Sequence, residues 1–509
     1  NVESNPTEQQ VIPSDAIVEF IIILSGSEHV YIDGKELTRG TEYDYIIDYN
    51  TAEVSFTTNQ IITKDKRIIV EFQYSDKNYA RSIIESTNYF SGENAKWYLN
   101  VYSEQDAKNQ PLQQDLTSEE RIHLSSIGDN LTQAYFPSFD SIEFNSNQVL
   151  YKKVDSLGYQ NIYIQSNSPD SAFFQLFFSR VTGGGDYILD GFNAFGKIYK
   201  WIAPDTVNNL IVHNGEYAPV RTLVTPQKKQ LISLGTEHQL SQNTLLKFEG
   251  AMCNQDINTF STLDNNDDIG FGFNFSLYNK RDSLIKNWNL ISSLQAEVIT
   301  PYFKPIERYR DIEFTRDWNI QTTAIPTLQT LAKGDITLKK GKQSFTFRTN
   351  TYQVDKNYEG YKNDIIINSK KNINVFFNGS LLQSKSTENT NYLRHNSAIS
   401  KDFKKFTLGF DDIHERNNKI TGDSLSIASY QFYDWKTYIS TRDTSNAKIK
   451  LFYGERYDKK TLNNKLSPTT FARNPGLKVD YSFNQNHQIK WTTTYRMLTI
   501  KDTSLTNIQ

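Results

Sequence analysis

Residues 344–351 read Ser-Phe-Thr-Phe-Arg-Thr-Asn-Thr. Phe345, Phe347, Thr349 and Thr351 fall on one side of an extended chain, and Ser344, Thr346, Arg348 and Asn350 on the other. The same alternation recurs towards the C-terminus. Phe406, Leu408 and Phe410 oppose Lys405, Thr407 and Gly409. Leu477, Val479, Tyr481 and Phe483 oppose Lys478, Asp480 and Ser482. Ile489, Trp491, Thr493 and Tyr495 oppose Lys490, Thr492, Thr494 and Arg496. One face is apolar and aromatic, the other polar and charged. A period of two with this contrast predicts a half-buried antiparallel sheet. We expect residues 236–509 to form an extended antiparallel β-strand region, an open sheet or a partial barrel. Two environments suit it: a sheet packed on protein, or a barrel with its apolar face towards lipid. Lipid-facing strands need about 9 to 11 residues. Many runs are shorter or broken by charge, as at residues 356–362 and Lys370-Lys371, and residues 505–509 do not read as a closing strand.

Composition supports a β-rich chain. Its 509 residues include 30 Tyr, 31 Phe and 6 Trp, which argues against disorder. The single cysteine, Cys253, forbids an internal disulfide, and it lies in a strand-like run where packing is its expected role. Seven scattered His leave little material for a zinc or haem site. A net charge of -3 lacks the basic footprint of a nucleic-acid binder. A mean hydropathy of -0.59 is too polar for a bundle of membrane helices.

Residues 1–14 (NVESNPTEQQVIPS) show neither the basic nor the apolar region of a signal peptide. Without an initiator Met, the chain reads as a mature product or an excised fragment. The longest apolar run, residues 17–24 (IVEFIIIL), is far short of the roughly 20 residues of a membrane helix and predicts a buried strand.

Short strand runs and turn signals divide the rest. Residues 14–78 hold five such runs, with Asp33-Gly34 as a hairpin turn, and predict a small β-sandwich-like module. Residues 79–235 form a mixed β region. There 96–103 (KWYLNVYS) reads as a strand and 104–115 (EQDAKNQPLQQD) as a loop. Thr117 with Glu120 fits a capping box and Gly128 a helix stop, placing one short helix near 117–127. A boundary is expected at residues 225–230. The fold class is thus mainly β with one short helix.

Candidate chemistry is sparse. His29 has no second His or Cys at ligand spacing, and His123 lies outside any H-E-x-x-H pattern, so both read as structural. Gly183-Gly184-Gly185 lacks the Lys-Ser/Thr of a phosphate loop and predicts a hairpin or bulge. Residues 264–268 (DNNDD) offer the hard oxygens that calcium takes, without EF-hand spacing, and read first as a solvated hairpin tip. Asp311 and Glu313 could serve acid–base chemistry on a sugar, but Arg308, Arg310 and Arg316 point to ion pairs instead. No catalytic, cofactor or metal residue is assigned.

Several stretches carry a resemblance. Residues 25–57 (SGSEHVYIDGKELTRGTEYDYIIDYNTAEVSFT) resemble a unit of large β-rich envelope proteins of Bacteroidota. Residues 101–113, 183–204, 215–220, 258–268 (NTFSTLDNNDD) and 304–319 (KPIERYRDIEFTRDWN) look similar to one family of such proteins, and within that group the chain is similar in class to a functional counterpart, the Plug subunits of the type 9 secretion translocon. The resemblance touches residues 25–319, and none of its motifs is catalytic. It implies a non-enzymatic, outer-membrane-associated subunit at the periplasmic face of the outer membrane. Its partners would be a large SprA-like translocon barrel, which it occludes or supports, and other secretion-system subunits. The alternatives from the strand pattern are an integral outer-membrane β-barrel channel or transporter, and a surface adhesin or glycan binder.

Overall fold

The computed structural model describes residues 22–60, 62, 66–75, 78–207, 210–285, 287–320, 327–442, 447–482 and 488–501. Residues 1–14, most of the apolar run at 17–24, Phe483 and residues 505–509 lie outside them. The chain is mainly β, as its alternation predicts. It divides into two units, each assembled from separate stretches. The first comprises Asn1–Ile84, Ser103–Gln230 and Asn254–Asp268, the second Glu85–Tyr102, Leu231–Cys253 and Ile269–Gln509. The boundary expected at 225–230 meets one crossing, between Gln230 and Leu231. The other crossings cut regions read as continuous, because a sheet recruits strands from wherever backbone partners are needed.

In the first unit, His29–Ile32 pairs with Lys35–Glu36 and Ile68–Glu71, and Tyr45–Asp48 pairs with Glu53–Phe56. Val30, Ile32, Leu37 and Tyr45 form the buried core between these strands. The expected hairpin turn is present, with φ of 52° at Asp33 and 79° at Gly34. Helix α1, Ser118–Ser126, starts on the predicted capping box: Thr117 accepts from Glu120 N, and Glu120 reaches back to Thr117 N. Its Leu124 is fully buried beside Tyr79, Leu116, Ala134 and Leu223. Residues 104–115 differ from expectation, since the strand Ala95–Pro111 runs through most of them. Two of their carboxylates are paired in place. Arg81 Nε donates to Asp106 at 2.7 Å and Arg81 Nη1 to Glu104 at 2.9 Å, and Pro111 falls on the last strand residue, where its missing N–H matters least.

The second unit contains the long strands. Ile269–Ile285, Trp288–Ile299, Gln329–Lys340, Gln343–Val354, Tyr358–Lys370, Asn374–Lys385, Asn389–Asp402, Phe406–Thr421, Tyr430–Thr441, Ala447–Leu462 and Lys465–Ser482 pair antiparallel in succession. Gln488–Thr494 and Met497–Ile500 both pair with Lys465–Ser482. The hydrogen-bonded order continues through Tyr79–Ser91 and Ala95–Pro111, and the strands Lys228–Ser241 and Thr244–Asp256 precede Ile269–Ile285: this is the order of a barrel. Ala95–Pro111 stands beside Lys228–Ser241, where Thr236 Oγ1 donates to Lys96 O at 3.1 Å and Gln239 N to Asn94 O at 2.7 Å.

Strand lengths correct the sequence reading. Tyr358–Lys370 is a continuous strand of 13 residues, and Lys465–Ser482 has 18. Lysines do not break these strands. Lys362 points to the polar face, with its Nζ 5.2 Å from the Trp318 ring, while Lys370 ends its strand. A second short helix, Phe314–Asp317 (α2), was not anticipated.

Candidate functional site

The stretch between the strands Trp288–Ile299 and Gln329–Lys340 carries the charge-dense segment. Helix α2 closes with Asp317 N donating to Glu313 O at 2.7 Å and Trp318 N to Phe314 O at 3.1 Å. It presents Trp318 to a buried cluster of Leu331, Tyr352, Val354, Tyr358, Leu382 and Tyr392, residues of five successive strands. Arg316 reaches a sixth, donating from Nη2 to both oxygens of Glu415 at 2.9 and 3.1 Å. Six strands lying flat would span about 24 Å, at roughly 4.8 Å per step. A single helical turn with side chains is only about 10–12 Å across. The sheet must therefore curve round the segment, and the segment lies on its concave face.

Ion pairs fix the segment there. Arg310 pairs with Glu297 at 2.5 Å and donates to Gln329 at 2.8 Å, with its guanidinium 4.5 Å from the Phe314 ring. Asp317 pairs with Arg394 at 2.5 Å and Lys362 at 3.6 Å. Tyr358 donates its hydroxyl to Trp318 O. A cavity of about 200 Å³ remains between segment and wall, lined by Gln295, Glu297, Tyr309, Arg310 and Lys333 among others. Its charges are mixed in sign. Of the two carboxylates expected to pair with Arg rather than act on a sugar, Glu313 meets Arg316, while Asp311 enters through its backbone. Glu313 lies 3.6 Å from Arg316, and Asp311 supplies its backbone carbonyl to Phe314 N at 2.9 Å.

The concave face also carries Asp335 paired with Arg348, and Arg456 with Asp458. The convex face is its opposite. By register Leu338, Phe345, Ile367 and Phe377 stand side by side, as do Leu408, Ile439, Leu451 and Leu477. The strand residues of the four alternating rows read from the sequence, from Phe345 to Thr351, Phe406 to Phe410, Leu477 to Tyr481 and Ile489 to Thr493, fall on this face, while Phe483 lies outside the described residues. It is exposed: Leu451 is 57% accessible, Ile399 47%, Leu408 44% and Phe345 40%. Tyr361, Trp435, Tyr453 and Tyr457 occupy convex positions where the apolar rows give way to polar ones such as Thr349, His414 and Lys459.

Among the remaining sequence candidates, His29 Nδ1 meets Glu36 at 2.7 Å, and His123 Nε2 meets Gln133 O at 2.9 Å. Gly183 and Gly184 have φ of 84° and 89° in a strand whose register shifts between Arg180 and Gly185, the predicted bulge. Cys253 is 1% accessible, and its Sγ accepts from Lys304 N at 3.2 Å.

Residues 264–268 are not a fully solvated tip. Asp268 is 6% accessible. Within the first unit it converges with Asp267 and Asp129, one carboxylate oxygen of each lying within 4.8 Å of the others. Asp264 accepts from Asp129 N at 2.6 Å. Burial, together with the charges of Asp264, Asp268, Asp256 and Asp267, pushes the Asp129 carboxyl up to about 6. Asp129 carried no sequence signal, because it is 135 residues from Asp264.

Among known families, residues 13–76 match a domain of unknown function, DUF8818. This match covers the small N-terminal module. No curated protein matches the chain.

Proposed function

We propose that the second unit is an integral β-barrel of an outer membrane, a non-enzymatic channel or transporter whose lumen is narrowed by its own segment around α2. The observation that carries this reading is the inversion of the sheet. Large apolar side chains lie exposed in registered rows on the convex face, while paired charges line the concave one. A water-soluble protein rarely exposes contiguous apolar surface on this scale. A lipid-facing barrel needs it, with a polar interior and aromatic residues at the margins of the apolar band. Strands of 12 to 18 residues between Gln329 and Ser482 are long enough to cross.

Alkaline extraction of membranes tests this. The chain should stay in the pellet at high pH and migrate faster on a gel when unheated than when boiled. Release into the supernatant would overturn the reading. Work beside a larger translocon barrel rests on the sequence resemblance. Affinity purification addresses it separately, since recovery without any translocon barrel counts against that partner and leaves the membrane reading intact.

A further inference from the structure

In the first unit, the chain turns out of α1 at Gly128 and brings Asp129 against the loop that carries Asp264, Asp267 and Asp268. Three carboxylate oxygens, from Asp129, Asp267 and Asp268, lie within 4.8 Å of one another. This is the span of ligands on opposite sides of one ion bound at about 2.4 Å. Neighbouring contacts hold the loop and the end of α1 together. Asp264 Oδ2 accepts from Asp129 N at 2.6 Å. Asn258 Nδ2 donates to Leu124 O at 2.8 Å and to Gly128 O at 2.6 Å. Asn258 N in turn donates to Asp256 Oδ1 at 2.9 Å.

A second observation points to a ligand. Asp268 is 94% buried by its 6% accessibility, and its carboxylate faces Asp129 and Asp267 with no hydrogen-bond or ion-pair partner among the described residues. Asp267 Oδ1 is likewise buried without a hydrogen-bond partner. Lys228 pairs with Asp256 at 3.8 Å, and its charge also acts on Asp268, where Asp256, Asp264 and Asp267 oppose it. Three carboxylates set against the charge of one lysine, with Asp268 buried and Asp129 and Asp267 half-buried, are costly to hold together. A bound cation removes that cost.

We propose that Asp129, Asp267 and Asp268, braced by Asp264, form a calcium site that pins the C-terminal end of α1 to the 256–268 loop. The donors are all hard oxygens, with no His or Cys, which excludes the usual zinc and copper sets. Three converging carboxylates suit calcium, which accepts many protein oxygens in irregular geometry. Magnesium keeps most of its waters and takes one or two carboxylates.

The test is isothermal titration of calcium chloride into the EDTA-treated, detergent-purified full chain, with a parallel thermal scan. Saturable binding of about one ion per chain is expected, with Kd at or below the roughly 10⁻⁴–10⁻³ M of extracellular modules. Melting of the first unit should rise with calcium. Asp268→Asn and Asp129→Asn should each weaken binding at least about 10-fold, and equimolar magnesium should not displace calcium. Asp282→Asn, an exposed carboxylate of the other unit, should leave the isotherm unchanged. Absence of both heat and melting shift up to about 10 mM calcium would overturn the site. So would wild-type affinity in both folded variants. If a variant loses its circular dichroism, the wild-type titration and its magnesium competition decide alone.

Discussion

Gly128 has two roles at one position. Its φ of +61° places it in the left-handed region that ends a helix, and a Cβ there would sit 2.3 Å from Asp264 Oδ2. The first requirement is legible in the sequence, from the capping box and the glycine spacing. The second is not, since Asp264 approaches from a distant stretch. Gly128→Ala should destabilise the first unit by about 1–3 kcal/mol, combining φ strain with displacement of Asp264; thermal denaturation with and without calcium checks it. Glu28 gives a pH prediction. It is 7% accessible and accepts from Tyr49 at 2.6 Å and Arg39 at 3.1 Å. Burial alone would raise its carboxyl, but the Tyr49 hydroxyl, its own backbone N–H and the Arg39 charge outweigh burial and hold it below the ordinary value of 4.5. A depressed folded pKa contributes stability above the unfolded pKa, and that stability is lost as pH falls through the folded value. The N-terminal module should therefore weaken as pH drops below about 4.5, and Glu28→Gln should flatten that dependence; melting temperature between pH 5 and 3 measures it.

At the scale of elements, α1 and the segment around α2 differ in how the sequence encodes them. α1 carries its own start and stop signals. α2 is a four-residue turn without a side-chain cap, and its side chains are anchored on the wall through Trp318, Arg316 and Asp317. The abundance of Arg in this stretch points to ion pairs, and Arg310, Arg316, Glu313 and Asp317 make them, whereas no ion pair of Asp311 is seen among the described residues. The partners Glu297, Asp317, Arg394 and Glu415 could not be matched in advance, because pairing depends on which strands curve past the segment. Trp318→Ala should cost about 3–5 kcal/mol, as for a large buried aromatic, read from urea unfolding in detergent. Arg316→Ala with Asp317→Ala should loosen the segment and leave the strands paired. Conductance in planar bilayers should rise several-fold over wild type, and an unchanged conductance would mean that the segment does not set the lumen.

The whole molecule turns on which sheet face meets which medium. Leu451 stands in the convex row with Leu408, Ile439 and Leu477. In the proposed membrane setting, Leu451→Arg should cost about 2–4 kcal/mol and lower the heat-resistant fraction of folded chain. Asp434→Asn, on the concave face, should be nearly silent in the same assay. The alternation of residues such as Phe345 and Phe347 determined that the chain is mainly β and which residues share a face, since neighbouring side chains of a strand must point to opposite sides. It also determined α1, whose signals are local. Tertiary structure alone decided that those apolar faces lie outward, that the lysines at 362 and 370 leave the strands unbroken, and that Asp129 meets Asp267 and Asp268. The reason is common to all three. A period of two assigns faces, but curvature and long-range register assign what each face touches.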